Sequence, residues 1–541
     1  MKKTNDWLYA CIIVVVFLII YFLIFKFSEF DLTLLFSIYN LKPHFLKFAL
    51  IFIVLAVFSY FISKDIEIKK IKTRKLIISI FLFSFILTIL FWNSPQINPD
   101  SLRYLTFAKD FSTYGSNKIG ISTDAPLIPF IYFILFKLLG KESIIAINIF
   151  TSLIYSFTAI LIFLLSRKLF DEEIGFYSSL IFLGFNGILV QTGMILVDIP
   201  LVFFVALTIY TGINAFEKNK FSLFLLTFLF AVAAILTKIS ALLFFTPLLV
   251  LLLFRIENKR ILLLIIGILS ILICIIIFNI KSIIEIGRNA LILKPFDFLI
   301  ALSGLPALIF QFGPSFLLIF YGFLFLNKKE RVFFYSWLLL PLIPLFLIAH
   351  EGAIFRYYMG AAPATAIISG LVISKLSKIK KNFALYVVLL ILLSGLVISF
   401  GLISAIKDCG EVNLARAANY LNKNENVHTI TVYANSSYFK DWDNKTVNPE
   451  PYVMLFDLYC DKDIVYGGNF GTDEYFKRGW EYYYKLPTIY YNETKLKGAD
   501  AAILISDENT APKNIENMKL VANFTSRNRM IMPHYIYVYS R

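Results

Sequence analysis

The sequence predicts an α-helical multi-pass membrane protein of about 13 transmembrane helices, followed by a small α/β extracytoplasmic C-terminal domain. Hydrophobic residues make up 59% of the 541 positions, and the mean hydropathy is +0.76. Apolar runs repeatedly reach the ~20 residues that span a hydrocarbon core of ~30 Å. The net charge of +15 collects in short loops between these runs. That distribution is typical of membrane topology signals and excludes a nucleic-acid partner.

Each apolar run predicts one membrane span, and the spans follow one another with few residues between them. A 14-residue run at 126–139 is too short to span comfortably and is predicted to be an interfacial helix. The predicted spans are roughly 7–27, 44–63, 75–92, 144–166, 174–196, 199–216, 221–237, 239–254, 261–280, 303–326, 332–349, 357–374 and 383–403.

The distribution of Lys and Arg predicts the orientation of these spans. With the N terminus in the cytoplasm, the basic loop 63–75 is cytoplasmic, and an interfacial helix at 126–139 places the later basic loops there as well. If 126–139 crossed the membrane instead, every one of those later loops would lie outside. We therefore predict a cytoplasmic N terminus and an extracytoplasmic C-terminal region in a cell membrane.

The chain divides into three predicted regions. Residues 1–74 carry two additional helices and a basic loop, residues 75–403 form the main transmembrane domain with a first outer loop at 93–143, and residues 404–541 form the outer domain. In the last region EVNLARAANYLNKN is typical of an amphipathic helix, and HTITVYA, AAILIS and RMIMPHYIYVY are typical of strands. The glycosylation candidates are Asn435, Asn444, Asn492 and Asn523.

The two cysteines of the outer region, Cys409 and Cys460, could form a disulfide on an oxidising side of the membrane. Their spacing leaves that pairing open.

Ionisable residues near membrane depth are costly unless they are paired or hydrated, so each is a functional candidate. Carboxylates and cations on one face suit a reaction in which a base deprotonates an acceptor while cations hold an anionic leaving group. The alternative for Asp100 and Asp198 is a helix cap. Lys238 could instead extend to the membrane surface, and Arg356 could be ordinary flanking charge. The expected outer-face residues are Asp100, Arg103, Asp124, Asp198, Lys238, Arg288, Glu351 and Arg356.

Six stretches, in this order and on these faces, resemble the membrane-embedded GT-C glycosyltransferases of the protein O-mannosyltransferase and aminoarabinose-transferase type. The resemblance covers about residues 75–375. The stretches are PDSLRYLTFAKDFSTYG, TDAPLIPFIYFILFKLLG, LIFLLSRKLFDEEIGFYSSLIF, ILVDIPLVFF, AILTKISALLF and FRYYMGAAP.

This resemblance implies a GT-C fold and an inverting transfer of sugar from a polyprenyl-phosphate or dolichyl-phosphate carrier. It implies that Asp100 acts as base or positions the acceptor, and that Asp124 and Asp198 are further catalytic carboxylates. The implied phosphate-binding residues are Lys238, Arg356, Tyr357 and Arg103. No obligatory cofactor is expected, although three carboxylates could bind a divalent metal.

The acceptor is left open between a protein, a lipid-linked glycan and a surface polymer of the cell envelope. Many relatives have Glu where this chain has Ser101, and the aminoarabinose enzymes have Lys where it has Ala125. A lipid A acceptor is therefore not expected. The alternatives to an enzyme are a transporter or flippase of lipid-linked sugars and a membrane assembly protein.

Overall fold

The structure, a computed structural model, consists mainly of apolar helices followed by a mixed β-sheet. The chain divides into two compact units, one of which comprises 1–90, 151–191 and 197–400 and the other 91–150, 192–196 and 401–541. The residues that the structure describes are 4–27, 45–65, 68, 71–92, 101, 104, 105, 108, 126–140, 143–253, 308, 309, 311–342, 358–377, 383–406, 410–434, 456, 459–466, 498–506, 509–515, 517–525 and 535–541.

The described helices follow the predicted spans closely over most of the chain. In order they are α1 (Thr4–Phe27), α2 (Phe45–Asp65), α3 (Thr73–Ile89), α4 (Leu127–Leu139), α5 (Ile144–Leu169), α6 (Glu172–Leu183), α7 (Asn186–Gln191), α8 (Asp198–Lys218), α9 (Phe221–Thr237), a 3-10 helix (Ile239–Phe244), α10 (Thr246–Leu253), α11 (Ser315–Gly322), α12 (Lys328–Leu338), a second 3-10 helix (Tyr358–Ala361), α13 (Ala362–Ser377), α14 (Phe383–Ile406) and α15 (Gly410–Asn422).

The length and composition of these helices are those of a membrane protein. Within the described part of the chain, four helices are long and apolar enough to cross a membrane: Phe45–Ser63, Ile144–Leu169, Asp198–Lys218 and Phe383–Gly401. On α2, large apolar side chains one turn apart are more than half exposed, a stripe that suits lipid and not water. These side chains are Leu50, Val54, Phe58 and Phe61.

The number of 13 spans stays a prediction, since 261–280 lies outside the described residues. Over Leu127–Leu139 the structure has a short helix of 13 residues, the length on which the interfacial assignment depended.

The prediction of one continuous span at 174–196 is wrong. Helix α6 ends at Leu183, and α7 is a separate six-residue helix. The break lies at Gly184, where a Cβ atom would come within 3.0 Å of the backbone of Leu392 on α14. Because glycine has no side chain, the two backbones come closer here than larger side chains would allow.

The predicted span at 239–254 is also interrupted. Lys238 is extended, with φ −163° and ψ 128°, and it is followed by a 3-10 helix before α10 begins at Thr246. Pro247 is the second residue of α10, a position at which its missing N–H is tolerated. A run that is uniformly apolar in sequence is therefore two short pieces in the structure.

The two N-terminal helices pack against each other and onto α14. The Tyr21 hydroxyl lies 2.6 Å from the Ser394 hydroxyl. The ring of Phe17 stacks on that of Phe52, with centroids 5.9 Å apart. These contacts attach the additional helices to α14, within the same compact unit.

The C-terminal region forms a six-stranded sheet in the order β2-β1-β3-β6-β5-β4. Strands β1, β2 and β3 are parallel, whereas β6, β5 and β4 pair antiparallel. Three strand predictions coincide with β1, β3 and β6, and the amphipathic helix coincides with α15, which packs on one face of the sheet. The strands are β1 (Thr429–Ala434), β2 (Asp463–Tyr466), β3 (Ala501–Ser506), β4 (Asn514–Ile515), β5 (Met518–Thr525) and β6 (Tyr535–Ser540).

The carboxylate of Asp500 holds the start of β1. Its Oδ2 accepts the backbone N–H groups of His428 at 2.9 Å and of Thr429 at 3.0 Å. These hydrogen bonds, the first of them most strongly, hold the pKa of the Asp500 carboxyl below its usual value.

Candidate active site

Asp198 and Lys238 are brought together by the hairpin of α8 and α9. Asn219, at the end of α8, has φ 49° and ψ 39°, a left-handed conformation that Asn tolerates, and Lys220 then precedes α9. The start of α8 and the end of α9 are nearly equidistant from this turn along the chain. Two antiparallel helices of similar length therefore bring residues 198 and 238 to the same end of the hairpin.

The two side chains form a buried ion pair. Nζ of Lys238 donates a hydrogen bond to Oδ1 of Asp198 at 2.7 Å. The Asp198 side chain is 0% exposed and that of Lys238 is 12% exposed. A buried carboxylate is strongly unfavourable without a compensating charge or hydrogen bonds, so each residue supports the burial of the other.

The structure does not support the alternative roles, which were a helix cap for Asp198 and extension to the membrane surface for Lys238. The N-cap position of α8 belongs to Val197, and Asp198 is the first residue of the helix. Lys238 directs its ammonium into the protein, onto a carboxylate 40 residues earlier. The sequence interpretation gave the two residues separate roles. Their nearly equal distances along the chain from Asn219, between two predicted helices, were the signal that could have placed them side by side.

The 3-10 helix after Lys238 packs against the second 3-10 helix. The ring centroid of Phe244 lies 6.4 Å from that of Tyr358. The Tyr358 hydroxyl donates to the Leu338 carbonyl at 2.6 Å, and Nε1 of Trp337 donates to the Gly360 carbonyl at 3.0 Å. Helix α8 contacts both 3-10 helices, so the segment that follows Arg356 and Tyr357 is held beside the hairpin.

Four residues of the segment 93–143 form a buried helical face within the unit that comprises 91–150, 192–196 and 401–541. Ser101, Tyr104, Leu105 and Ala108 are helical and buried, at the spacing of one face of a helix. The Ser101 hydroxyl donates to the carbonyl of Met194 at 3.0 Å. Ser101 is thus a buried anchor, a role that its sequence context did not suggest.

Several predicted site residues lie outside the described residues: Asp100, Arg103, Asp124, Arg356, Tyr357, Asn435, Asn444, Asn492 and Cys409. Asn523 is exposed on β5, and Cys460 is buried in the core between α15 and the sheet. Among the described residues no three His, Cys, Asp or Glu side chains converge as a metal site would require.

Part of the chain matches a known protein family, and its fold is similar to that of solved structures. Residues 123–283 match the family described as dolichyl-phosphate-mannose-protein mannosyltransferase, a segment that contains Asp124, Asp198 and Lys238. Two crystal structures of ArnT from Cupriavidus metallidurans, apo and bound to undecaprenyl phosphate, each superpose with a TM-score of 0.55 at 12% identity. Each alignment covers 86% of this chain and 97% of ArnT. The chain therefore has the fold of ArnT, and the match over 123–283 indicates a glycosyltransferase.

A further similar structure is the archaeal oligosaccharyltransferase AglB from Archaeoglobus fulgidus, in complex with an inhibitory peptide and a dolichol-phosphate. Its TM-score is 0.45 at 12% identity, with 80% of this glycosyltransferase and 69% of AglB covered. No curated protein gives a significant match to the sequence.

Proposed function

We propose that this glycosyltransferase moves a sugar from a polyprenyl-phosphate or dolichyl-phosphate carrier to an acceptor on the outer face of the membrane, with inversion. The observation that carries the proposal is the buried pair of Asp198 and Lys238. It lies inside the segment 123–283 that matches a family named for a dolichyl-phosphate sugar. The similar ArnT structure bound to undecaprenyl phosphate gives further support.

In the proposed reaction Asp100 accepts the proton of an acceptor hydroxyl. The acceptor oxygen forms a bond to the anomeric carbon from the face opposite the phosphate. The bond from that carbon to the phosphate oxygen breaks, and the carrier phosphate leaves with the electron pair. Asp124 and Asp198 are the further carboxylates of this centre.

Lys238, with Arg356, Tyr357 and Arg103, is assigned to the carrier phosphate. Cations placed where negative charge develops stabilise the leaving group. An ammonium has three N–H donors, so the bond from Lys238 to Asp198 is compatible with donation to a phosphate oxygen. In this proposal Asp198 balances the charge of Lys238 and holds its ammonium in place before the donor arrives.

The proposed topology has the N terminus in the cytoplasm and both the reaction centre and the C-terminal domain outside. The acceptor is a protein, a lipid-linked glycan or a surface polymer. In the proposed arrangement the donor enters laterally from the lipid, which agrees with the apolar exposed faces of the helices.

The test is release of free polyprenyl phosphate by the purified protein in liposomes. A panel of polyprenyl-phosphate sugars serves as donor, and a crude envelope extract supplies acceptors. Asp100→Asn and Lys238→Met are expected to abolish release, whereas Asn523→Gln, far along the chain in β5, is expected to retain it. Normal release by Asp100→Asn would refute the role of that residue. Movement of intact donor between leaflets without release would identify a transporter.

A further inference from the structure

Three amide side chains are buried in the unit that comprises 1–90, 151–191 and 197–400, and each has a polar atom with no hydrogen bond to the residues that the structure describes. Asn186 is 1% exposed, Gln191 5% and Gln311 1%. Within the described part of the chain, partners are lacking for Nδ2 of Asn186, for Oε1 of Gln191 and for both Nε2 and Oε1 of Gln311. We call these three side chains the amide cluster.

The amide cluster is assembled around Gly187. A Cβ atom on Gly187 would lie 2.6 Å from Cγ of Gln311, so the two segments are in direct contact there. Asn186 adjoins Gly187 in α7, and Gln191 follows Gly187 by one turn on the same helical face. The missing side chain of Gly187 leaves room for the side chain of Gln311 against α7, the helix that carries the other two amides.

Burying such a cluster destabilises the fold unless its polar atoms find hydrogen-bond partners. An amide removed from water without a partner destabilises a protein interior strongly, and an apolar side chain of the same shape would avoid that penalty. Buried groups with unmet hydrogen bonds call for a specific explanation. Three such amides on two segments in direct contact point to a ligand-binding site.

The amide cluster adjoins the candidate active site through two rings. Phe312 follows Gln311, and its ring centroid lies 5.1 Å from that of Phe185, which precedes Asn186. The same Phe312 ring lies 6.0 Å from Tyr358, whose ring meets Phe244 of the 3-10 helix that follows Lys238. Helix α7 also contacts α8, which begins at Asp198.

We propose that Asn186, Gln191 and Gln311 bind hydroxyl groups of the sugar on the lipid-linked donor. Each primary amide offers N–H donors and a carbonyl acceptor, which matches hydroxyls because a hydroxyl both donates and accepts. A phosphate at neutral pH mainly accepts and is held by cations, and the amide cluster has no charge. This proposal rests on the proposed function and adds the residues that distinguish the sugar from its carrier.

The test compares binding of two probes to the full-length protein in nanodiscs: dolichyl-phosphate mannose and dolichyl phosphate. Wild type is expected to prefer the sugar-bearing lipid. Gln311→Met and Gln191→Met, which keep the side-chain length, are each expected to reduce that preference by about fivefold for every hydrogen bond lost. Affinity for dolichyl phosphate and thermal stability are expected to hold in Gln311→Met, because neither polar atom of the Gln311 amide has a hydrogen-bond partner among the described residues.

Two further variants separate the site from a structural role. Gly187→Ala keeps every polar group but displaces Gln311, and it is expected to reduce the preference as well. Ser166→Ala removes another buried hydroxyl without a partner among the described residues, on α5, and it is expected to leave the preference unchanged. Equal weakening of both probes by Gln311→Met would make the residue structural and overturn the proposal.

The outcomes also distinguish this inference from the proposed function. If wild type binds both lipids equally, or if Gln311→Met keeps the wild-type preference, the amides hold water only and the subsite is refuted even where transfer is observed. If wild type selects the sugar-bearing lipid and Gln311→Met does not, the subsite stands even where no acceptor is glycosylated.

Discussion

Replacing Lys238 by Met leaves the carboxylate of Asp198 buried with its cation removed. The Asp198 side chain is 0% exposed and the pair is joined at 2.7 Å, so water cannot replace the ammonium without rearrangement. Removing one partner of a buried ion pair typically costs about 3–5 kcal/mol. The double variant Asp198→Asn with Lys238→Met removes the uncompensated charge, and we expect it to recover most of that loss.

The matched control is the exposed pair formed by Lys168 and Glu217, whose side chains are 20% and 46% exposed. Solvent screens such a pair, so Lys168→Met is expected to cost about 1 kcal/mol or less. The measurement is the apparent free energy of unfolding in SDS titrations of mixed micelles. Donor turnover is recorded alongside it, and we expect the double variant to be stable and inactive.

Two results would refute this reasoning. If Lys238→Met is no more destabilising than Lys168→Met, the pair is not the buried contact that the structure describes. If the double variant turns over donor at the wild-type rate, the pair serves packing alone and Lys238 has no part in holding the carrier phosphate.

Three other predictions concern packing, pH and the first loop. Gly395→Ala would place a Cβ within 3.0 Å of the Gly184 backbone, so we expect the apparent free energy of unfolding in the same titration to fall by more than about 2 kcal/mol. Its control is Gly401→Ala, where a Cβ would have nothing within 4 Å and the free energy of unfolding should change little. Because the pKa of the Asp500 carboxyl is lowered on folding, this carboxylate stabilises the folded state at pH values above its unfolded pKa of about 3.9, and the stabilisation is lost as pH falls through the lower folded pKa. Hydrogen exchange at the start of β1 should accelerate over that pH range, and Asp500→Asn should remove that pH dependence. Ser101→Ala deletes the bond to the Met194 carbonyl, so about 1 kcal/mol of stability should be lost; an unchanged free energy of unfolding would contradict the anchor role.

Most of the helical architecture could be predicted from the sequence because it follows from local composition. An apolar run of sufficient length has few alternatives to a helix in a membrane, since every backbone polar group must be satisfied within the segment. The starts of α2, α5 and α14 lie within one residue of the predicted spans. Strands β1, β3 and β6 were predictable for a similar reason, because each is a short run rich in β-branched or aromatic residues between Asn, Asp and Gly turns.

The breaks in the apolar runs could not be predicted in this way. Gly184 is one glycine among many, and its meaning depends on Gly395 of α14, a distant part of the chain. Lys238 is bracketed by apolar residues on both sides, and nothing local shows that the backbone there is extended. At both places the residue that follows the helix contacts a distant part of the chain, Leu392 for Gly184 and Asp198 for Lys238.

Residue types and their order alone determine that this chain is a membrane protein, that its ionisable residues near membrane depth are functional candidates and that it resembles GT-C glycosyltransferases. Tertiary structure decides which of those residues meet. Asp198 and Lys238 become one ion pair because two antiparallel helices turn at Asn219, and the amide cluster forms because Gly187 lets Gln311 approach. Burial and charge compensation depend on distance in space, and for these residues that distance is set by helix packing.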